Sequence, residues 1–206
     1  MAIIPEDRVA TADEFQRRLD AIRLAHAEDV EPFLFDGCYE LLELLGVGAK
    51  AEVYRAYHRD AARYVALKLL SDRSRLSFEE RLRFAREARV LGAVRHPALP
   101  ELIDCRISSK RQQPYIAMTL VKGRRASEHC IVRQTLEPVD AIAVGKQLAG
   151  ALIALHEKGI VHRDLHDSNV LIDLGRDTTA TLIDAGMCEL TDRFYSVVEQ
   201  RYPTPP

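Results

Sequence analysis

The sequence predicts an α+β fold in two lobes, a mainly β first part leading into a mainly α second part. Three observations carry this. Between Tyr39 and Val121, short apolar runs separated by glycine-containing or charged turns predict five strands of an antiparallel sheet. One helix-start signal, Ser77-Phe78-Glu79-Glu80, interrupts them after the third strand. Beyond Lys122-Gly123 the apolar residues recur at helical spacing instead.

In chain order, Thr11-Ala12-Asp13-Glu14 has the form of a capping box, in which hydroxyl and carboxylate each accept the other residue's backbone N–H. Phe15, Leu19, Ile22 and Ala25 or His26 then recur at helical spacing to about Asp29, so an amphipathic helix is expected in an N-terminal extension over 1–36. The pattern breaks at Glu31-Pro32. A first lobe over 37–121 begins with YELLELLGV, AEVYRAYH and RYVALKLL, which read as a three-strand meander. The helix opened by Ser77 runs to about Gly92, with Phe78, Leu82, Ala85, Ala88 and Leu91 on its expected apolar side, and His96-Pro97 ends it. ELIDCRI and PYIAMTLV supply the last two strands. A second lobe over 122–206 holds a helix from Pro138, which suits a first turn, to near Gly159. Ile142, Leu148, Ala149, Leu152 and Leu155 line one side of it. VLIDL and ATLID, joined by Gly175-Arg176-Asp177, predict a small β-hairpin.

Composition excludes several classes. Of 206 residues 47% are hydrophobic, and 29 basic residues face 31 acidic ones. That is the make-up of a globular chain of one domain or two small lobes. A net charge of -2 offers no basic surplus for nucleic acid, so none is expected as a partner. No stretch approaches the roughly 20 apolar residues of a membrane span. The amino terminus MAIIPEDRVA carries an acidic pair where a secretion signal needs its apolar run, so a cytoplasmic location is expected. Cys38, Cys105, Cys130 and Cys188 form no CxxC pair and are expected as buried free thiols.

The chemistry concentrates in HRDLHDSN, His162 to Asn169, a polar segment between the apolar runs Ile160-Val161 and Val170-Leu171-Ile172. Polar groups set between two buried strands need partners or a purpose. Asp184 repeats the pattern at the end of ATLID. Asp164, Asn169 and Asp184 offer two carboxylates and an amide, all hard oxygen donors of the kind magnesium prefers. Upstream, Gly46 and Gly48 flank a hairpin turn where absent side chains let backbone N–H groups approach phosphate oxygens. A glycine-rich turn alone is more often only a turn. Lys68 projects a charge from the apolar strand VALK, and a strand lysine alone can simply reach for water. Glu87 on the following helix is placed to pair with it, although that helix is rich in arginine and glutamate. Together, in order, these groups supply each part that transfer of a nucleotide's terminal phosphoryl group requires.

The ordered set, from Tyr39 to Gly186, resembles the eukaryotic-type serine/threonine protein kinases. That resemblance implies a two-lobed protein-kinase-like fold, with ATP between a five-stranded lobe bearing one helix and a mainly helical lobe, incomplete here. It implies Asp164 as catalytic base, Lys68 paired with Glu87 on the α- and β-phosphates, Asn169 and Asp184 on Mg2+, and Gly46 and Gly48 over the phosphates. Val53 and Ala66 would enclose the adenine from above and Leu171 from below. Met118 would guard the back of the pocket, and the backbone of Thr119 to Val121 would hydrogen-bond the adenine edge. A protein substrate or partner protein is implied as well. Arg163 resembles the arginine of kinases controlled through their activation segment, with Thr191, Tyr195 and Ser196 as nearby acceptors.

The chain departs from the pattern in places. Ala51 stands where a third glycine is usual, and Ala185 where the family has Phe. His166, in the catalytic string, stands where lysine contacts the moving phosphoryl group, a shorter and only partly protonated replacement near neutral pH. The run SVVEQRYPTPP lacks the Ala-Pro-Glu-like motif, so a domain cut short after its activation segment is expected, with part of the apolar side bearing Leu148, Leu152 and Leu155 left uncovered. Two alternatives stay open on the sequence: a nucleotide-binding scaffold without turnover, and a phosphotransferase acting on small molecules. The oligomeric state is not encoded in these features.

Overall fold

Strand alternation and one capped helix account for most of the first lobe. The computed structural model describes residues 34–48, 50–70, 77–133, 135–191 and 194, within one compact unit, Leu34–Pro206. The helix expected over 11–29 lies outside the described residues. β1 (Leu34–Phe35), β2 (Tyr39–Val47), β3 (Ala51–His58), β4 (Arg63–Leu70), β5 (Leu102–Ile107) and β6 (Pro114–Thr119) form a sheet in the order β1-β2-β3-β4-β6-β5, each neighbouring pair antiparallel. The expected five strands are thus six. β1 is two residues long, too short to show any period in the sequence.

In β4 successive side chains face opposite ways. Val65, Leu67 and Leu69 join a buried cluster with Phe35, Tyr39 and Tyr115 on one side of the sheet. Ala66 and Leu70 pack on the other side with Phe84, Ala88 and Leu91 of α1 (Phe78–Ala93). Lys68 lies between Ala66 and Leu70 and therefore shares their direction. On the first side, Phe35 and Tyr39 each meet Tyr115 edge-on, with ring centroids 5.4 and 5.5 Å apart. The Tyr39 and Tyr115 hydroxyls both donate to Asp104. Burial, aided by that carboxylate, pushes both phenols above their ordinary range.

α1 begins as expected and turns differently. The Ser77 hydroxyl accepts the Glu80 N–H at 3.2 Å, and the Glu80 carboxylate accepts the Ser77 N–H at 2.7 Å. The buried residues, however, are Phe84, Glu87, Ala88, Val90 and Leu91, while Phe78 is 70% exposed and Leu82 and Ala85 are exposed too. The stripe 84, 87, 88, 91 is a proper helical face, and it contains a carboxylate. The expected apolar side included Ala88 and Leu91 correctly; Phe78, Leu82 and Ala85 fall outside it because burying Glu87 against Lys68 sets the helix's rotation.

The second lobe adds β7 (Arg124–Arg125) and α2 (Ala126–Arg133), neither expected. α3 (Pro138–Glu157) and the hairpin of β9 (Val170–Leu174) and β10 (Thr178–Leu182) follow the sequence reading, the hairpin pairing Leu174 with Thr178 around residues 175–177. β8 (Ile160–Val161) pairs with β11 (Glu189–Leu190), and a 3-10 turn covers Asp167–Asn169. On α3, Leu155 is buried and Leu148 and Leu152 pack against the clusters built on β9, β10 and Ile160. Ile142 and Ala149, expected on that same side, are exposed instead, because with 3.6 residues per turn they lie on the uncovered side with Val139 and Ile153. Among the described residues α3 is long and apolar enough, by length and composition only, to cross a membrane. This amends the expectation that no stretch approaches that length. Core helices that are mostly buried meet the same test; only 17% of α3's apolar window is buried, with Val144, Leu148 and Leu152 packed in the cluster of β9 and β10.

Among the described cysteines Cys38, Cys105 and Cys188 are free, as expected, but only Cys188 is fully buried and Cys105 is exposed. Burial pushes the Cys188 thiol up to about 12, so it stays protonated and unreactive.

The joint between the lobes depends on Gly123. Its φ is +116°, and a Cβ there would lie 2.5 Å from the Ile172 carbonyl oxygen and 2.9 Å from the Asp173 nitrogen. No side chain fits, and the conformation belongs to glycine. Gly123→Ala is expected to lower stability by about 2 kcal/mol or more, read as a reduced denaturation midpoint with unchanged m-value.

Candidate active site

The centre of the site is an ion pair between strand and helix. Lys68 Nζ lies 2.8 and 2.6 Å from Glu87 Oε1 and Oε2 and 3.7 Å from Asp184 Oδ1. Glu87 is 3% exposed, and the Lys68 side chain 14%. Burial by itself would lower the Lys68 pKa, but the Glu87 and Asp184 carboxylates outweigh it and hold the ammonium above its ordinary value. Burial also raises Glu87, against the pull of Lys68. With both carboxylate oxygens on one ammonium, the ionised pair is the state that the geometry supports.

Asp164 lies three residues past β8, and Asn169 ends the 3-10 turn immediately before β9. The Asn169 amide donates to the Asp164 carbonyl and to Asp164 Oδ2, both at 3.0 Å. Asn169 also accepts the Ile183 N–H through its backbone carbonyl at 2.8 Å, beside the Val170–Leu182 pairing of the hairpin. The hairpin thus sets Asn169 next to the strand end that carries Asp184. Asp184 has φ +66° and Arg163 φ +64°, left-handed backbone that non-glycine residues seldom adopt. Such strain concentrates where surrounding structure dictates a side chain's direction.

Around this centre, His166 caps the 3-10 turn, its Nδ1 3.3 Å from the Ser168 N–H. That places Nε2 on the Asp164 side, 3.6 Å from Oδ2. His162 is buried, and its Nδ1 accepts the Asp164 N–H at 3.3 Å. Burial drives the His162 pKa below its ordinary value, although the Asp164 and Asp184 charges oppose it. Ala185 leaves a small cavity beside His162, lined also by Leu91, Val94, Leu155 and Leu182. Arg163 pairs with Glu189 of β11, and the Thr191 hydroxyl donates to the Gly159 carbonyl at 2.8 Å. Tyr195 and Ser196 lie outside the described residues.

The remaining sequence-derived positions lie on the sheet, on the segment after it and on the hairpin. Val53 stands between Gly46 and Lys68 in the ladder, and Ala66 opposite Met118. Gly48 closes its turn by donating its N–H to the Ala51 carbonyl at 2.8 Å. Leu171 lies on β9, partnered with Arg125. Thr119 and Val121 follow Met118, but the Thr119 N–H is already given to the Glu101 carbonyl at 3.0 Å. That N–H is therefore not open to the adenine edge expected at Thr119 to Val121. Arg125 and Glu189 escaped the sequence reading. Their partners are distant in the chain, and an arginine after a linker carries no signal of its own.

For a divalent cation the fit is of one kind only. Among the described residues no three His, Cys, Asp or Glu side chains converge. Asn169, with its amide nitrogen committed to Asp164, turns an oxygen rather than a donor to a cation, and Asp184 supplies a carboxylate. Two hard ligands suit a cation that keeps most of its waters, as magnesium does.

Residues 39–205 match the family model for the protein kinase domain. The chain belongs to the protein kinase family. This kinase domain is 33% identical over 163 residues to serine/threonine-protein kinase pkn2 of Myxococcus xanthus, covering 79% of this chain and 19% of that protein. It is 35% identical over 162 residues to the DNA damage-responsive serine/threonine-protein kinase RqkA of Deinococcus radiodurans, covering 78% and 24%. The solved kinase domain of PknI from Mycobacterium tuberculosis superposes with a TM-score of 0.63 at 33% identity, over 78% of this chain and 64% of that one. The chain spans a quarter or less of the length of these two curated relatives. The two-lobed kinase fold expected from the sequence is therefore the fold of this chain.

Two outcomes check the electrostatics. Glu87→Ala leaves Lys68 buried without its main partner and is expected to cost about 3 kcal/mol or more in urea unfolding, with Lys68→Met in the same chain restoring part of the loss. The buried neutral His162 makes the unfolded chain the stronger proton binder below its ordinary pKa of about 6.5. Its contribution is complete above that pH and is lost as pH falls toward the depressed folded-state value. His162→Asn is expected to flatten that part of the stability–pH curve.

Proposed function

We propose that this chain is an ATP- and magnesium-dependent protein serine/threonine kinase domain, with 37–121 as its upper lobe and 122–206 as its lower one, working in the cytoplasm where ATP is supplied. The observation that carries the proposal is the charge array of Lys68, Glu87 and Asp184, tied to the hydrogen-bonded Asp164 and Asn169 through the Ile183 N–H on the Asn169 carbonyl.

On this reading Gly46 and Gly48 let the β2–β3 turn come down on the phosphates, since side chains there would hold the backbone away. Val53 and Ala66 on the sheet and Leu171 on the hairpin take the adenine between them, with Met118 behind it and the backbone of Thr119 to Val121 along its edge. Lys68, kept charged and aimed by Glu87, draws the α- and β-phosphates into line. Asn169 and Asp184 hold magnesium, which when bound neutralises charge developing on the phosphate oxygens. Asp164 accepts the proton of a serine or threonine hydroxyl. The hydroxyl oxygen bonds to the γ-phosphorus as the bond from that phosphorus to the bridging oxygen breaks, leaving ADP. His166 offers its Nε2 beside Asp164 as a donor to the transferring group, a weaker one than a lysine.

Incubation with magnesium and γ-labelled ATP is expected to label the protein itself or a generic protein substrate, and Asp164→Asn to reduce the rate at least about a hundredfold. Full activity in Asp164→Asn overturns the mechanism. Nucleotide binding without any transfer supports the scaffold alternative, and label found only on small molecules supports the other.

A further inference from the structure

An arginine that no part of the preceding account uses reaches from the β7–β9 pairing to the catalytic string and to Gly46 of β2. β7 pairs with β9 so that Arg125 is the partner of Leu171, and Arg124 of Ile172. Adjacent side chains leave a strand on opposite faces. Arg124 is exposed, whereas Arg125 is half-buried. The Arg125 Nη1 donates to the Ser168 carbonyl at 2.5 Å, inside the catalytic string. Its Nη2 would be 3.5 Å from a Cβ placed on Gly46. Gly46 in turn is the ladder partner of Val53. The guanidinium therefore starts beside Leu171, on the floor of the cleft, and reaches the glycine strand that forms its roof.

A nucleotide whose base lies between Val53 and Leu171 must send its sugar and phosphates past this group toward Lys68. The guanidinium presents five N–H donors, and a neutral carbonyl is a modest partner for a permanent cation. A phosphate oxygen is a better one, because charge-assisted bonds are about twice as strong as neutral ones. A mere strut between hairpin and sheet would need no charge: glutamine could donate to the same carbonyl. We propose that Arg125 is a nucleotide-binding residue of this cleft, exchanging the Ser168 carbonyl for an anionic oxygen on the sugar-phosphate side of the ligand. This rests on the nucleotide reading above and adds to it a positive contact beneath Gly46 that selects for phosphorylated over uncharged nucleosides.

The test compares ATP with adenosine by calorimetry on the full chain. Arg125→Gln keeps a donor and removes the charge, Arg125→Ala removes both, and Arg125→Lys keeps the charge without the planar fork. The glutamine and alanine variants are expected to weaken ATP at least about tenfold while leaving adenosine within about twofold, with lysine in between. Retained adenosine binding also reports that each variant is folded. ATP bound by Arg125→Gln as tightly as by the wild type, or an equal loss for ATP and adenosine, overturns the assignment while leaving the nucleotide reading intact. A wild-type chain that binds neither ligand overturns both.

Discussion

The buried bond between Lys68 and Glu87 is the constraint on which the rest of the site depends. A charged strand residue and a charged helix residue have each been taken out of water, and neither is tolerable without the other. Their contact sets which face α1 turns to the sheet, and so which of its apolar residues are covered. It also holds a cation within reach of Asp184, across the gap between the lobes. Packing alone would have buried Phe78 and Leu82 with Ala88 and Leu91. The observed rotation gives up those two side chains to water and accepts a carboxylate in the core stripe.

Much of the fold was legible because its elements follow strong local rules. Alternation in RYVALKLL, the Ser77–Glu80 reciprocal cap, and the apolar runs either side of Gly175-Arg176-Asp177 each specify local geometry without distant help. HRDLHDSN was legible for a different reason: seven polar residues between two apolar runs have no cheap structural explanation. What escaped is what depends on partners far along the chain. β1, β7 and β11 are two-residue strands that exist only because another strand lies beside them. Arg125 and Glu189 look like surface charges until the hairpin and the β8–β11 pairing bring Ser168 and Arg163 to them. The rotation of α1 was misjudged because apolar periodicity cannot register a buried ion pair.

The site's polar groups hold one another as well as any ligand. Asn169 gives both of its donor contacts to Asp164, His162 fixes the backbone of the same residue, and His166 caps the turn that carries Asn169. The string is therefore held in one shape by its own hydrogen bonds, which reduces what binding any ligand would cost in ordering it. Left-handed backbone at Arg163 and Asp184 belongs to the same economy of form: one side chain pairs with Glu189 of β11 and the other lies 3.7 Å from the Lys68 ammonium.

Glu80 makes one further connection. Its carboxylate accepts the Ser77 N–H with one oxygen, and the other lies 3.3 Å from the Lys50 ammonium in the β2–β3 turn. The same helix carries Glu87 two turns later. The glycine-bearing β2–β3 turn and the Lys68 pair are consequently both fastened to a single helix. A solvent-exposed contact of this kind stores little energy. Its importance is geometric, since it joins the β2–β3 turn to the helix that carries Glu87.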